Sequence, residues 1–228
     1  MDSVILAHEV IHSLKTSRTP CMLIKLDLSK AFDRASWQYL RAVLESFGFD
    51  QCWVNWILNL TSSTFFSILV YGIPSKPFSP SRGIRQGDPL SPFFFVLMAE
   101  GLGRYIKAVV TDGFLKGLPL NNIQPAPSHS QFVDDTLLLN SPIVWEASQL
   151  NSILSDFTEA SSMSLNLDKS KLYFFNTPAS VQIHISRLLG IPKNSLPSNY
   201  LGVPLTGAAA RSISWDSLLL SISNRLSN

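Results

Sequence analysis

Asp134 and Asp135, within Gln131-Phe132-Val133-Asp134-Asp135-Thr136, are adjacent carboxylates set between apolar, β-prone segments. Residues 130–133 lead in as a strand and Thr136-Leu137-Leu138-Leu139 leads out, which predicts the pair at the tip of a hairpin. Asp also hydrogen-bonds its own backbone in tight turns, so the dipeptide taken alone reads first as an ordinary turn. Phe132, Val133 and the leucines favour a chemical reading: they bury the stem and hold two like charges close together at the edge of a core, where they repel. A divalent cation relieves that repulsion. Successive strand side chains point to opposite faces, so one carboxylate aims at the metal and the second contributes at an angle. Such a site calls for a third carboxylate, and Asp27 supplies one. It lies near the end of the run Cys21-Met-Leu-Ile-Lys-Leu-Asp-Leu28, a strand buried on both faces, where a carboxylate is costly unless paired or metal-bound.

The rest of the chain must position these groups. Its 228 residues are 46% hydrophobic, enough for a real core, and the net charge of +2 neither argues for nor excludes a nucleic-acid partner. Two cysteines, Cys21 and Cys52, are too few for a disulfide framework, and the four histidines lack zinc spacing. Reducing, intracellular surroundings are the expectation, in nucleus or cytoplasm. The most apolar stretch, residues 93–99, is far short of the ~20 residues a membrane helix needs, so no membrane association is expected.

Helical spacing runs through Val4, Ala7, Ile11 and Leu14, with His8 and His12 read as helix-surface histidines. A helix on Trp37, Leu40, Leu44 and Phe47 ends at Gly48, with Asp33 read as an N-terminal cap, and another uses Trp53, Trp56, Ile57 and Leu60. The three tryptophans are read as core packing. Residues 64–71 predict a strand with 74–78 as hairpin partner. Residues 81–92, Ser-Arg-Gly-Ile-Arg-Gln-Gly-Asp-Pro-Leu-Ser-Pro, form a donor-rich loop at the start of a helix through Phe94, Leu97, Met98, Leu102 and Ile106. That loop suits an anionic ligand, although the composition also fits a plain loop and cap. Further on come a helix on Trp145, Leu150, Ile153, Leu154 and Phe157, a strand over 172–175, and a helix on Val181, Ile185, Leu188 and Leu189. An extended segment over 200–205 and a helix from about 212 on Leu218, Ile222 and Leu226 complete the chain. Strand 21–28, helix 90–107, strands near 130–140, helix 142–160 and strand 171–175 give βαββαβ, an α+β, ferredoxin-like arrangement.

Leu26-Asp27-Leu28-Ser29-Lys30-Ala31-Phe32-Asp33, residues 82–92, Phe132-Val133-Asp134-Asp135, Asn166-Leu-Asp-Lys169-Ser170 and Tyr200-Leu201-Gly202-Val203-Pro204-Leu205 resemble, in order and spacing, the successive motifs of reverse transcriptases. They are most similar to those of plant non-LTR (LINE-type) retrotransposons, which commonly have Ala where Val133 stands. Five ordered motifs carry the resemblance where any one would be weak.

The resemblance implies a polymerase palm with partial fingers and the start of a thumb, truncated at both ends: residual fingers over 1–20, palm over 21–198, and primer grip with incipient thumb over 199–228. Asp27, Asp134 and Asp135 resemble the carboxylates that hold two Mg²⁺ ions (Mn²⁺ as a substitute), with the Leu28 carbonyl assisting. Phe32 looks like the aromatic gate under the nucleotide sugar. Gln86 and Gly87 resemble the loop at the incoming nucleotide and template, and Arg82 and Arg85 its phosphate contacts. Lys169 is similar to the lysine that protonates leaving pyrophosphate, or is simply a solvated lysine. Tyr200, Leu201 and Gly202 look like the primer grip. The implied partners are an RNA template, a DNA primer and deoxynucleoside triphosphates, with the fingers, thumb and endonuclease parts of a full element missing. The alternative is a catalytically inactive retroelement remnant with at most weak nucleic-acid binding.

Overall fold

The computed structural model describes residues 3–116, 128–133, 135–205 and 216–226. Helix α1 is Ser3–Ser17, followed by strand β1 (Cys21–Leu26), β2 (Leu28–Ser29), α2 (Ala31–Arg34), α3 (Trp37–Ser46) and α4 (Gln51–Ser62). A short hairpin, β3 (Leu69–Val70) and β4 (Ile73–Pro74), precedes α5 (Ser91–Thr111). Next come β5 (His129–Phe132), β6 (Asp135–Asn140), α6 (Val144–Ser161), β7 (Ser164–Leu165) and β8 (Lys171–Phe175). Helix α7 (Ala179–Leu189), β9 (Ser198–Tyr200), β10 (Val203–Leu205) and α8 (Asp216–Leu226) follow. Two compact units result: residues 1–27, 109–151 and 167–228, and residues 28–108 with 152–166.

The first unit is built on a four-stranded antiparallel sheet in the order β5-β6-β1-β8. Every β1 residue except Lys25 is buried, as its apolar run predicts. Cys21 and Leu23 share a face with Leu137, Leu139, Tyr173 and Phe175, and α1 packs there through Ala7, Val10, Ile11 and Leu14, with Tyr200 and Leu205 in the same cluster. The helical spacing read from the N-terminal segment therefore finds its sheet. His8 departs from its surface reading: both of its ring nitrogens are buried without a hydrogen bond.

Glu146, in the first turn of α6, is also buried. Burial raises its carboxyl above the usual range, against hydrogen bonds from the backbones of Lys116 and Ser141 that lower it. Between its unfolded and folded pKa the Glu146 carboxyl thus keeps a proton in the folded state that the unfolded chain has lost. Ionised Glu146 opposes folding at neutral pH, and that cost fades as pH falls through the folded pKa towards the unfolded one. Glu146→Gln should raise the melting temperature by a few degrees at about pH 7, with the gain shrinking towards about pH 4 in calorimetry.

In the second unit, α3 begins at Ser36, whose hydroxyl accepts from the Tyr39 amide at 3.3 Å. Asp33 lies inside α2 instead of capping a helix, and its Oδ1 accepts from Gln86 Nε2 at 3.1 Å. The buried face of α4 is Val54, Ile57 and Thr61, while Trp56 and Leu60 are exposed. Trp53 is half-buried and stacks on Phe49, and Trp37 donates to the Gly83 carbonyl at 2.7 Å. A tryptophan at helical spacing can thus mark the helix's outer flank as well as its core. The hairpin expected over 64–78 forms but is short, bridged at Phe66 and Phe78, with Leu69, Val70, Tyr71 and Ile73 exposed. Helix α5 follows its predicted stripe through Phe94, Met98, Leu102 and Ile106.

Other differences are local. In α6 the apolar face starts at Ala147, leaving Trp145 exposed, and in α8 Ile222 and Leu226 are exposed. The segment 200–205 is a hairpin rather than an extended strand: Leu201 and Gly202 have φ of 50° and 78° and turn the chain so that Tyr200 pairs with Val203.

Candidate active site

Strand β1 pairs with β6 so that Leu26 stands opposite Thr136. Asp27 follows directly on β1 and Asp135 directly precedes Thr136 in β6, so both stand at the same end of the sheet. Asp27 is anchored through its backbone, whose N–H donates to the fully buried Ser170 hydroxyl at 3.1 Å. Asp135 is the first residue of β6 and pairs with Phe132. Asp134 lies outside the described residues. Of the pair expected at the hairpin tip, Asp135 stands in the strand. The expected burial of the stem also needs correcting, because Phe132 and Val133 are 52% and 41% exposed, whereas Leu137, Leu138 and Leu139 are buried together with Thr136 and Asn140. Val133 has φ of 53°, a left-handed conformation that a β-branched residue adopts only under constraint, as residues at functional turns often do.

Oδ1 of Asp135 is buried and makes no hydrogen bond, but it lies 3.2 Å from the Lys25 ammonium in an ion pair. The same Nζ donates to the Asn199 carbonyl at 3.4 Å and stands 5.8 Å from the centre of the Tyr200 ring. Lys25 and Ser170 are the contacts that sequence reasoning passed over. The signal for Lys25 was its place two residues before Asp27, on the same strand face. Tyr200 is fully buried in β9, with Leu201 and Gly202 forming the turn to β10. Lys169 is exposed in the connection between β7 and β8. Among the described residues no three acidic, His or Cys side chains form a metal-binding group. The donors present at this edge are carboxylate oxygens, one of them buried and short of hydrogen bonds, which is the donor type hard divalent cations take.

In the second unit the ring of Phe32 stacks on Phe95, with centroids 5.1 Å apart and planes 12° from parallel. Three hydrogen bonds fasten the donor-rich loop beside it: Gly83 N–H to the Ala35 carbonyl at 2.8 Å, Ile84 N–H to the Phe32 carbonyl at 2.8 Å, and Trp37 Nε1 to the Gly83 carbonyl at 2.7 Å. Arg85 donates to the Leu60 carbonyl at 2.9 Å, and Arg82 and Arg85 line a cavity of about 200 Å³ with Asp33, Thr61 and Thr64. Gln86 and Gly87 are exposed, as an anion-binding loop requires, while Leu28 sits in β2 paired with Leu165. The Asp88 carboxylate accepts from the Leu90 N–H at 2.8 Å, a local turn that opens α5. Gly83 has φ of 97°, and a Cβ there would lie 2.8 Å from the Asp33 carbonyl oxygen. Gly83→Ala should cost about 1–3 kcal/mol in thermal unfolding, since neither the φ nor the backbone oxygen can yield cheaply.

Residues 2–205 match the family model described as reverse transcriptase (RNA-dependent DNA polymerase). The chain belongs to the reverse transcriptase family. A similar relative is the Pol polyprotein of the type-2 retrotransposable element R2DM of Drosophila melanogaster, 32% identical over 69% of this chain and 14% of that protein. Another is the uncharacterised 149 kDa protein of transposon TX1 from Xenopus laevis, 25% identical over 96% of this chain and 14% of that one. This reverse transcriptase chain therefore spans about one-seventh of the length of either relative, at 14%. Among solved structures, a telomerase of Candida tropicalis with a fragment of telomeric RNA superposes with a TM-score of 0.59 over 94% of this chain and 32% of its own, at 12% identity. That likeness shows a mixed α/β, polymerase-like fold.

Proposed function

We propose that this chain is the catalytic part of an RNA-directed DNA polymerase of a plant non-LTR (LINE-type) retrotransposon, adding deoxynucleotides to a DNA primer on an RNA template. The observation that carries the reading is the β1–β6 pairing, which brings Asp27 and Asp135 to the same end of one sheet within a family-matched region. A ferredoxin-like palm is supported by the strand order: taken in chain order, β1, β5, β6 and β8 alternate with α5 and α6 as βαββαβ, and β6 lies between β1 and β5. On this reading residues 1–20 are residual fingers, 21–198 palm and 199–228 primer grip with the start of a thumb. The protein acts inside the cell, in nucleus or cytoplasm.

Asp27, Asp134 and Asp135 would hold two Mg²⁺ ions, or Mn²⁺ in their place, assisted by the Leu28 carbonyl. Bound there, the ions supply activation of the primer hydroxyl and neutralisation of the triphosphate. The chain's own residues do the positioning. Ser170 fixes the backbone of Asp27. Phe32, braced on Phe95, presents a rigid wall to the sugar. Gln86 and Gly87 contact nucleotide and template, and Arg82 and Arg85 meet phosphates. Lys169 gives a proton to the departing pyrophosphate. Tyr200, Leu201 and Gly202 grip the primer, their turn held rigid by the buried Tyr200.

Primer extension on a poly(A) template with an oligo(dT) primer and Mg²⁺ tests the proposal. Extension by the wild type and none by Asp27→Asn is the expected result. A folded wild type that extends nothing would favour an inert retroelement remnant.

A further inference from the structure

Lys25 breaks an otherwise fully buried strand, which demands a reason: a lysine among buried neighbours is retained only where its ammonium is paired. Its side chain is 18% exposed and its Nζ has three neighbours drawn from distant parts of the first unit. The Asp135 carboxylate lies 3.2 Å away, the Asn199 carbonyl accepts at 3.4 Å, and the Tyr200 ring is centred 5.8 Å away. Across the sheet Lys25 stands opposite Lys171 on one side and Leu137 on the other, so neither cross-strand neighbour supplies a counter-charge, and the ion pair with Asp135 does. One ammonium thus joins the acidic edge of the sheet to the hairpin β9–β10.

We propose that Lys25 is a positioning residue for polymerisation, tying the hairpin that grips the primer to the Asp135 carboxylate and compensating that carboxylate until a divalent cation arrives. The proposal rests on the polymerase reading above. Two consequences follow from the contacts. The cation must be accommodated beside an ammonium already held at Asp135 Oδ1, so Lys25 weakens cation binding by like-charge repulsion. In return, β9–β10 is held in one place relative to Asp135, because the same Nζ also holds the Asn199 carbonyl. Removing the ammonium should therefore tighten cation binding and loosen the hairpin together, a pair of opposite effects that general destabilisation does not produce.

The test compares wild type, Lys25→Met and Lys25→Arg in three measurements. Lys25→Met keeps an apolar stem of similar length, and Lys25→Arg keeps the charge and the donors. Titration with Mn²⁺ followed by electron paramagnetic resonance should show Lys25→Met binding the ion roughly fivefold more tightly or better, with Lys25→Arg close to wild type. Amide hydrogen exchange over 198–205 should speed up roughly tenfold in Lys25→Met and be restored in Lys25→Arg. In primer extension, KM for the primer–template should rise more than kcat falls in Lys25→Met, with Lys25→Arg recovering most of it. A folded Lys25→Met with unchanged Mn²⁺ affinity and unchanged exchange in the hairpin would overturn the proposal. Should Lys25→Met fail to fold, Lys25→Gln gives the same comparison with a neutral donor retained. A wild type that binds Mn²⁺ and shows the hairpin effect but extends no primer would count against the polymerase reading and leave the tether standing.

Discussion

Asp27→Asn is expected to lower primer extension about 10³-fold or more, because several kcal/mol of charge stabilisation at the reacting phosphate depends on the carboxylates holding the cations. Asp135→Asn should lose activity to a similar degree but differ in a second respect. Two facing carboxylates suggest that removing one would stabilise the metal-free protein by relieving repulsion. For Asp135 the opposite is expected: its Oδ1 is 3.2 Å from the Lys25 ammonium, so Asp135→Asn leaves that ammonium short of its counter-charge. Metal-free melting should show a loss of about 1 kcal/mol. Full activity in either folded variant would remove that residue from the catalytic set, and a rise in melting temperature for Asp135→Asn would mean that repulsion outweighs the ion pair.

The second large effect concerns the choice of sugar. Phe32 is half-buried, braced flat against Phe95, and its carbonyl is held by the Ile84 N–H; in the sugar-gate role proposed above, that bracing keeps the ring from yielding to a ribose 2′-hydroxyl. Phe32→Val removes most of that wall. Discrimination against ribonucleotides, measured as the ratio of kcat/KM for deoxy- and ribonucleotide, is expected to fall by roughly 10²-fold. The variant also loses packing on Phe95 and should be less stable, but the ratio is taken on the same folded population and is insensitive to how large that population is. An unchanged ratio would place the sugar gate elsewhere in the chain.

Patterns confined to a few turns or one strand were legible. The buried run of β1, the helical stripes of α1 and α5, and strand β8 each follow from a period that a window of 10–20 residues contains. The ordered motifs carried the family for the same reason, since each is a short local signature. That Asp27 and Asp135 fall at one end of the same sheet was foreseeable from their flanking strands, whereas the placing of Asp135 within β6 and the exposure of Phe132 and Val133 were not.

What the sequence by itself determined, then, is the set of elements, their order and the kinds of groups available for chemistry, because backbone geometry and side-chain alternation are local. Tertiary structure decided which of several apolar faces is buried. Val54 and Ile57 turn inward on α4 while Trp56 faces out, although both sets have helical spacing. It also turned residues 200–205 into a hairpin, where Leu201 takes a left-handed φ that its composition does not announce. Above all it chose the partners of Lys25, one of them 174 residues away. A strand shows locally that its lysine needs a counter-charge, and only the closed sheet says which carboxylate and which carbonyl provide it.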